Sequence, residues 1–356
     1  MRIEEIDKNF LPPSLPEGVE LEYFNVREAP FKVWGLMDEG DTFRRLPVSV
    51  AKASNSGVEF LGEHSAGGRV TFRTDSRCVA ISVKTYNVAR FAHFPTCGAS
   101  GFDLYEDNST FLGSYLPPYL VEDGYGRVIT GLGDKKMRNL MLNWPLYTAV
   151  SELYIGIEKG ARLEAYNPYL DIPPIVYYGS SITQGGCACR PGNAYQAKIS
   201  RELSVDHINL GFSGSARGED AMAEHIASLP MSVFVMDYDH NAPSAQHLRD
   251  THERFYKIIR EKNPDLPIVF VTAPDIGYRI SYGKAVSFSE RRAIVMENYA
   301  RLRAAGDQNL YFIDGASFYQ ATDADYCTVD GCHPNDLGFY RMAIGMMPTL
   351  KRILKL

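Results

Sequence analysis

The stretch IVYYGSSITQGG, residues 175–186, is an apolar run with an abrupt polar ending. The run stops at Gly179, the pair Ser180 and Ser181 follows, and two more glycines come close behind. A serine on a sharp turn between a strand and a helix exposes its hydroxyl, which is how many hydrolases present a nucleophile. The same composition is also typical of an ordinary turn. The rest of the chain has to distinguish between these two interpretations.

From Pro173 onward, strand-like and helical segments alternate. The strand candidates are IVYYG, HINLGF, SVFVMDYD, PIVFVTAP and LYFIDG. Between the third and fourth of these, residues 244–262 place Leu248 and Ile259 on one helical face. The alternation predicts a parallel sheet covered by helices on both faces. Sheets of this kind have their active sites beyond the carboxyl ends of the strands.

The first half of the chain has a different pattern, in which short β-like segments are separated by Gly, Asn, Asp or Pro. These segments are GVEFLGEHS, GRVTFRTDS, CVAISVKTYNV, GFDLYED, TFLGSYL, GRVITGL, NLMLNWPLY and SELYIGIE. Many short strands at this spacing predict an all-β sandwich of the jelly-roll type. The linker EAYNPYLDIPP contains three prolines, which break regular structure. We therefore predict two domains, residues 1–165 and 172–356.

Composition and charge limit the class of partner and the compartment. The formal net charge of −6 is spread without a basic run, so neither nucleic acid nor an anionic membrane surface is an expected partner. The start MRIEEIDKNFLPPSLPEG lacks the apolar core of a signal peptide, and no window approaches a membrane span, so we expect a cytoplasmic protein. The cysteines in CAC, 187–189, and CTVDGCH, 327–333, lack the CxxC spacing of zinc sites. We expect no metal and no cofactor.

Residues suited to acyl transfer follow the predicted strands one after another. They are Ser181, Gly214, Asn241 and His333, with Asp330 three residues before the histidine. Acyl transfer needs a nucleophilic hydroxyl, a base that takes its proton, and donors that hold the oxyanion. Ser181 would be the nucleophile, His333 the base, and Asp330 the group that orients the imidazole, unless a backbone carbonyl does so. The backbone amides of Ser181 and Gly214 and the Asn241 side chain would form the oxyanion hole, unless Asn241 caps the following helix.

The same stretches resemble a known family. GSSITQG, NLGFSG, DYDHN and DGCHPN are similar, in order, to the four blocks of the SGNH, or GDSL-type, hydrolases. GFDLY, residues 101–105, resembles the signature of the GxDLY-type β-rich domain that precedes some of these hydrolases. The resemblance implies a flavodoxin-like three-layer fold for the second domain and ester hydrolysis through an acyl-enzyme.

The resemblance also assigns the four family residues to Ser181, Gly214, Asn241 and His333. Two positions depart from the family pattern. The aspartate that usually precedes the nucleophile is replaced by Ser180, and the aspartate that often follows the asparagine is Ala242. Neither performs a chemical step, so the predicted mechanism is unaffected, although local hydrogen bonding must differ. Ser180 remains a rival nucleophile one position away.

The resemblance implies a substrate class as well. We expect hydrolysis of small acyl esters, above all O-acetyl groups on carbohydrates, with a small-molecule or oligosaccharide ester as the partner. Two alternatives are an acyltransferase with the same acyl-enzyme and an inactive carbohydrate-binding protein. Candidate substrate-binding residues are His240, beside the predicted oxyanion donor, and Tyr278 and Arg279 in the segment 275–292. The sequence leaves the oligomeric state open, a homo-oligomer included.

Overall fold

The computed structural model describes residues 3–8, 11–274, 279–281, 284–286, 288–319 and 324–356 of the chain. The strands of the N-terminal half are β1 Leu21–Asn25, β2 Lys32–Trp34, β3 Met37–Asp38, β4 Phe43–Arg44, β5 Arg69–Thr74, β6 Val79–Tyr86, β7 Phe102–Glu106, β8 Thr110–Tyr115, β9 Gly124–Ile129, β10 Arg138–Asn143, β11 Ala149–Glu158 and β12 Leu163–Glu164. The helices of this half are α1 Ile3–Ile6, α2 Val48–Ser54, α3 Ser56–Leu61 and α4 Thr96–Ser100.

The C-terminal half alternates strands with longer helices. Its strands are β13 Ile175–Gly179, β14 His207–Gly211, β15 Val233–Asp237, β16 Ile268–Val271, β17 Arg279–Ser281, β18 Lys284–Val286 and β19 Leu310–Ile313. Its helices are α5 Ser181–Gln184, α6 Tyr195–Leu203, α7 Asp220–Ser228, α8 Ala245–Lys262, α9 Ser289–Ala304 and α10 Asp336–Leu354. Within the described ranges, no helix is both long enough and apolar enough to cross a membrane.

Two antiparallel sheets form the N-terminal domain. One has the strand order β1-β11-β6-β9 and the other β12-β5-β10-β7-β8, with β2 paired to β5. Side chains from both sheets, including Phe72, Leu142, Ile81 and Ile155, belong to one buried cluster. Burial of alternate residues between two sheets is the arrangement of a β-sandwich. The predicted sandwich is therefore confirmed, and its jelly-roll connectivity stays a prediction.

One predicted strand is wrong. The segment GVEFLGEHS lies largely in helix α3, because its start carries a helix cap and its apolar residues have helical spacing. The Asn55 side chain accepts a hydrogen bond of 3.0 Å from the Val58 amide. Val58 and Leu61, three residues apart, are buried, whereas Phe60 is exposed. An asparagine N-cap followed by this spacing favours a helix over a strand.

The C-terminal domain contains a five-stranded parallel sheet in the order β14-β13-β15-β16-β19. Alternate residues of β13 face opposite layers: Val176 belongs to the buried cluster that includes residues of α7, α8 and α9, and Tyr177 to the cluster that includes residues of α6 and α10. Helices on both faces of a parallel sheet give the predicted three-layer fold. All five predicted strands are confirmed, and so is the helix over 244–262, which Ser244 caps through a bond of 3.1 Å from the His247 amide.

The two domains share buried contacts beside strand β14. Ala51 of α2 and Val58 of α3 lie in the same apolar cluster as Met222 of α7. The guanidinium of Arg45, buried at this boundary, donates to the Asn209 carbonyl at 3.3 Å. The N-terminal domain therefore packs directly against the C-terminal domain beside its parallel sheet, close to the carboxyl edge where the predicted site residues lie.

Candidate active site

The turn after β13 holds Ser181 in a fixed position. Ser180 has an extended backbone and caps α5, and its hydroxyl accepts a hydrogen bond of 3.1 Å from the Ile182 amide. Gly179 is required by close packing, because a Cβ at this position would lie 2.1 Å from Thr183 Oγ1 and 2.3 Å from the Asp237 carbonyl oxygen. The paired serines therefore differ in environment: the Ser180 hydroxyl is occupied by the cap, and Ser181 follows it as the first residue of the helix.

Ser181, His333 and Asp330 are joined by hydrogen bonds. Ser181 Oγ lies 2.9 Å from His333 Nε2, and His333 Nδ1 lies 2.8 Å from Asp330 Oδ2. Both the serine and the histidine are buried, with exposed fractions of 6% and 9%. Residues 152 positions apart in sequence meet here because β13 and the loop before α10 both end at the carboxyl edge of the sheet.

The Asp330 carboxylate holds both the ring and the backbone of the histidine loop. Its Oδ1 accepts hydrogen bonds from the amides of Cys332 and His333, at 2.9 and 2.7 Å. Partial burial raises the pKa of the Asp330 carboxyl, but the hydrogen bonds from His333 and Cys332 outweigh burial and hold that pKa below its ordinary value. The group at His333 Nδ1 is thus an ionised carboxylate and not a backbone carbonyl.

Gly214 and Asn241 lie in the loops after β14 and β15. Gly214 has a φ of +65°, and no heavy atom lies within 4 Å of the position that a Cβ would take. The Asn241 side-chain amide donates to the Phe212 carbonyl at 2.8 Å and so connects the two loops. An amide nitrogen carries two hydrogens, so one donor remains for another acceptor. Since Ser244 caps α8, the alternative in which Asn241 is that cap is wrong.

The predicted substrate-binding residues fall in different places. His240 lies beside the histidine loop, where its Nε2 is 3.0 Å from Cys332 Sγ and its ring stacks on Phe288 at 4.6 Å. Tyr278 lies outside the described residues. Arg279 begins β17, and its side chain is likewise outside the described part of the chain. Contact of these three residues with substrate stays a prediction.

Three residues of the N-terminal domain adjoin the site, and the sequence analysis did not single them out. His93 Nε2 lies 3.8 Å from Asp330 Oδ2. The ring centroids of His93 and Phe94 lie 5.5 and 5.7 Å from that of His333. The Tyr147 hydroxyl donates to the Ser181 carbonyl at 3.3 Å. For His93 and Phe94, the signal that could have found them is the clustering of Phe, His and Phe in RFAHFP, an unusual composition for a loop.

A buried carboxyl group lies beneath the nucleophile turn. Asp237 Oδ2 accepts hydrogen bonds from the hydroxyls of Thr183, at 3.2 Å, and Tyr195, at 3.3 Å. Burial, reinforced by the nearby Asp239 carboxylate, raises the pKa of Asp237 well above its ordinary value. Asp239 itself accepts from the Ala273 amide at 3.0 Å. These carboxyl groups support the two loops that meet at the site.

The comparisons with known families agree with this fold. Residues 173–351 match the GDSL-like lipase/acylhydrolase family, and residues 21–163 match the GxDLY domain, described as the N-terminus of the SGNH hydrolase type of esterase. The first match covers half of the chain, so the protein belongs to the GDSL-like lipase/acylhydrolase family. No curated protein sequence matches the chain.

Solved structures cover both domains together. A Bacteroides ovatus protein classed as a GDSL-like lipase is 30% identical, with 94% of this chain and 98% of that chain covered and a TM-score of 0.85. The salicylyl-acyltransferase SsfX3 from a tetracycline biosynthetic pathway is 20% identical, with coverage of 94% and 97% and a TM-score of 0.76. The acetyl xylan esterase Est2A from Butyrivibrio proteoclasticus is 12% identical, with coverage of 94% and 99% and a TM-score of 0.60. At these lower identities the last two show the fold alone.

Proposed function

We propose that this protein is a serine esterase that hydrolyses small acyl esters through an acyl-enzyme on Ser181. The observation that carries the proposal is the continuous set of hydrogen bonds from Ser181 to His333 and from His333 to Asp330. His333 Nε2 accepts the hydroxyl proton as Ser181 Oγ attacks the ester carbonyl. The ionised Asp330 stabilises the imidazolium that forms and keeps its ring in the productive orientation.

The negative charge of the tetrahedral intermediate needs donors near Ser181. The Ser181 amide is in the first turn of α5, where N–H groups have no acceptor within the helix. The Gly214 amide and the second hydrogen of the Asn241 amide are the other proposed donors. His333 then protonates the leaving alcohol, and a water molecule activated by the same imidazole hydrolyses the acyl-enzyme.

The substrate that we propose is an O-acetyl ester on a carbohydrate. Two features support it: the carbohydrate esterases among proteins of similar fold, such as the acetyl xylan esterase, and a pocket next to the site. This pocket, of about 310 Å³, is lined by residues 88–92 and Phe94 of the loop 88–94 and by Tyr119, Leu120 and Val121. Phe94 lines the pocket and also contacts the His333 ring. Pockets with aromatic walls and a few polar groups are typical of small-ligand sites.

An acyltransferase is the second candidate, because SsfX3 has the same two-domain fold and the acyl-enzyme is common to both reactions. The difference lies in the acceptor, which is water in one reaction and a second alcohol in the other. Product analysis with a competing alcohol separates the two, since a transferase forms the new ester faster than free acid. An inactive carbohydrate-binding protein would form neither product.

The test of the proposed function is a substrate screen with the purified protein. We expect turnover of aryl acetates, a fall in kcat/KM as the acyl chain lengthens, and release of acetate from acetylated oligosaccharides. The matched control is Ser181→Ala, which should remove all three signals. Failure to hydrolyse any aryl ester would contradict the esterase, and a preference for long acyl chains would contradict the acetyl specificity.

A further inference from the structure

Next to His333 lie a second histidine, from the loop 88–94 of the sandwich, and a cysteine from the C-terminal domain. One donor atom each from His93, Cys187 and His333 lies within 4.8 Å of the other two. His93 comes from the N-terminal domain, and Cys187 comes from the segment after α5. Cys187 is buried, whereas the side chain of His93 is 27% exposed and reaches solvent. The cluster is therefore open to a small ion on the His93 side.

The donor set suits one kind of ion. Two imidazole nitrogens and one thiolate sulfur are ligands that Zn²⁺ prefers, with bonds of about 2.0–2.3 Å in tetrahedral geometry. Such a geometry separates neighbouring donors by roughly 3.3–3.6 Å. The donor atoms lie within 4.8 Å of one another, so each pair needs to close by at most about 1.5 Å, and small side-chain rotations of the three residues can supply this. Asp330 Oδ2, 3.8 Å from His93 Nε2, is in reach as a fourth ligand.

The backbone conformation of Cys187 is a second observation that favours a functional role for this thiol. Its φ of +72° is in the left-handed region that favours glycine, and the two residues before it, Gly185 and Gly186, are glycines. A side chain in this conformation costs energy, and such strain occurs most often at functional sites. The Phe94 ring packs against both imidazoles of the cluster, with centroids 4.6 Å from His93 and 5.7 Å from His333.

We propose that His93, Cys187 and His333 form a zinc-binding site whose occupation switches the esterase off. Both ring nitrogens of His333 are already engaged, Nε2 with Ser181 and Nδ1 with Asp330. A metal at either nitrogen must break one of these hydrogen bonds. The serine then loses its base, or the imidazole loses its orienting carboxylate. Inhibition follows whichever nitrogen binds.

Zinc binding at this site would release one proton, from the Cys187 thiol. A cysteine thiol must lose its proton before its sulfur can bind zinc as a thiolate. Zinc displaces that proton to solvent as the Zn–S bond forms, and no oxidant or reductant is required.

The first test is inhibition of aryl acetate hydrolysis by buffered free Zn²⁺, with Mg²⁺ as the control metal. We expect chelator-treated enzyme to be active, zinc to abolish turnover, and EDTA to restore it. Cys187→Ser and His93→Phe should each raise the inhibitory zinc concentration at least tenfold relative to wild type. The matched control is Cys332→Ser, because Cys332 belongs to a neighbouring donor set with Asp330 and His333. If Cys332→Ser relieves inhibition and Cys187→Ser does not, the proposal is wrong.

The second test does not depend on the esterase activity. Cobalt(II) added to the wild-type protein should give a thiolate-to-metal charge-transfer absorption band that competing Zn²⁺ removes. The band should persist in Cys332→Ser and disappear in Cys187→Ser. Absence of the band in wild type would overturn the zinc site even if the esterase is active. Its presence in a protein without esterase activity would uphold the site and contradict the proposed function alone.

Discussion

His333 contacts the turn after β13 on one side and the loop 88–94 of the sandwich on the other, and these two neighbours are positioned by different means. The turn is held by local interactions: the Ser180 cap on Ile182 and the absence of a side chain at Gly179. The loop is held within its own domain by contacts such as Phe94 against Tyr147, with ring centroids 4.7 Å apart. The docking of that domain then brings the loop to His333, and the Tyr147 hydroxyl donates to the Ser181 carbonyl at 3.3 Å across the boundary.

The two neighbours of His333 belong to different domains, and we assign the two domains different roles at the site. The residues that we propose to make and break bonds lie in the C-terminal domain, where the carboxyl ends of parallel strands meet. The residues that form the wall of the site and its second histidine lie in the N-terminal domain. Substitutions in the turn should therefore affect kcat directly, whereas substitutions in the loop should act through the position of His333.

The largest expected effect is on the nucleophile turn. Ser181→Ala should lower kcat by roughly 10⁶-fold and prevent labelling by a fluorophosphonate, because no other group supplies the attacking oxygen. Ser180→Ala, one residue away, should lower stability by about 1 kcal/mol through loss of the cap and keep most of the activity. Kinetics and thermal melts of both variants check this. An inactive Ser180→Ala with an active Ser181→Ala would reverse the assignment.

The second effect tests the oxyanion hole. Asn241→Ala should lower kcat by roughly 10²–10³-fold with little change in KM, because a donor to the oxyanion acts only in the transition state. It should also cost about 1 kcal/mol of stability, since the bond to the Phe212 carbonyl is lost. Ser244→Ala is the control: it removes the α8 cap at a similar cost in stability and should leave kcat unchanged. Equal kcat values for the two variants would make Asn241 a structural residue.

The third prediction compares two phenylalanines of the same loop. Phe94→Ala should lower kcat by roughly tenfold, because the ring next to His333 is lost and small displacements of a catalytic group are costly. Phe91→Ala removes a ring that is 47% exposed and should change kcat by less than about twofold. Steady-state kinetics below the melting temperature of each variant measure the difference. A larger loss of kcat in Phe91→Ala would show that the pocket surface, and not the contact with His333, carries the contribution of the loop.

The smallest effect concerns pH and stability. Because the folded-state pKa of Asp237 is raised, the folded state binds the more protons, and stability falls as pH rises from about 4 toward that pKa. Asp237→Asn keeps an acceptor for Thr183 and Tyr195 and removes the buried charge. We expect the variant to be more stable than wild type at neutral pH and to lose the decline with pH. Denaturant titrations at several pH values check this, and an unchanged pH profile would contradict it.

Much of the catalytic domain could be predicted from sequence because its signals are local. The strands of a parallel sheet are short continuous apolar runs, and their order along the chain places their carboxyl ends at one edge. That rule predicts that Ser181 and His333 lie close together. In the N-terminal half, β-like composition predicts a strand at GVEFLGEHS, but the asparagine cap and the three-residue spacing of Val58 and Leu61 favour a helix there.

By itself, the sequence determined the two-domain order, the parallel sheet and the residues of the proposed triad, because each depends on periodicity or on a motif within a few residues. Only the tertiary structure decided that His93 lies 3.8 Å from the carboxylate of Asp330 and that Cys187 joins the same cluster. The physical reason is that these contacts arise where two domains dock. Docking depends on the shape and burial of whole surfaces, and no spacing along the chain encodes the distance between residues 93 and 333.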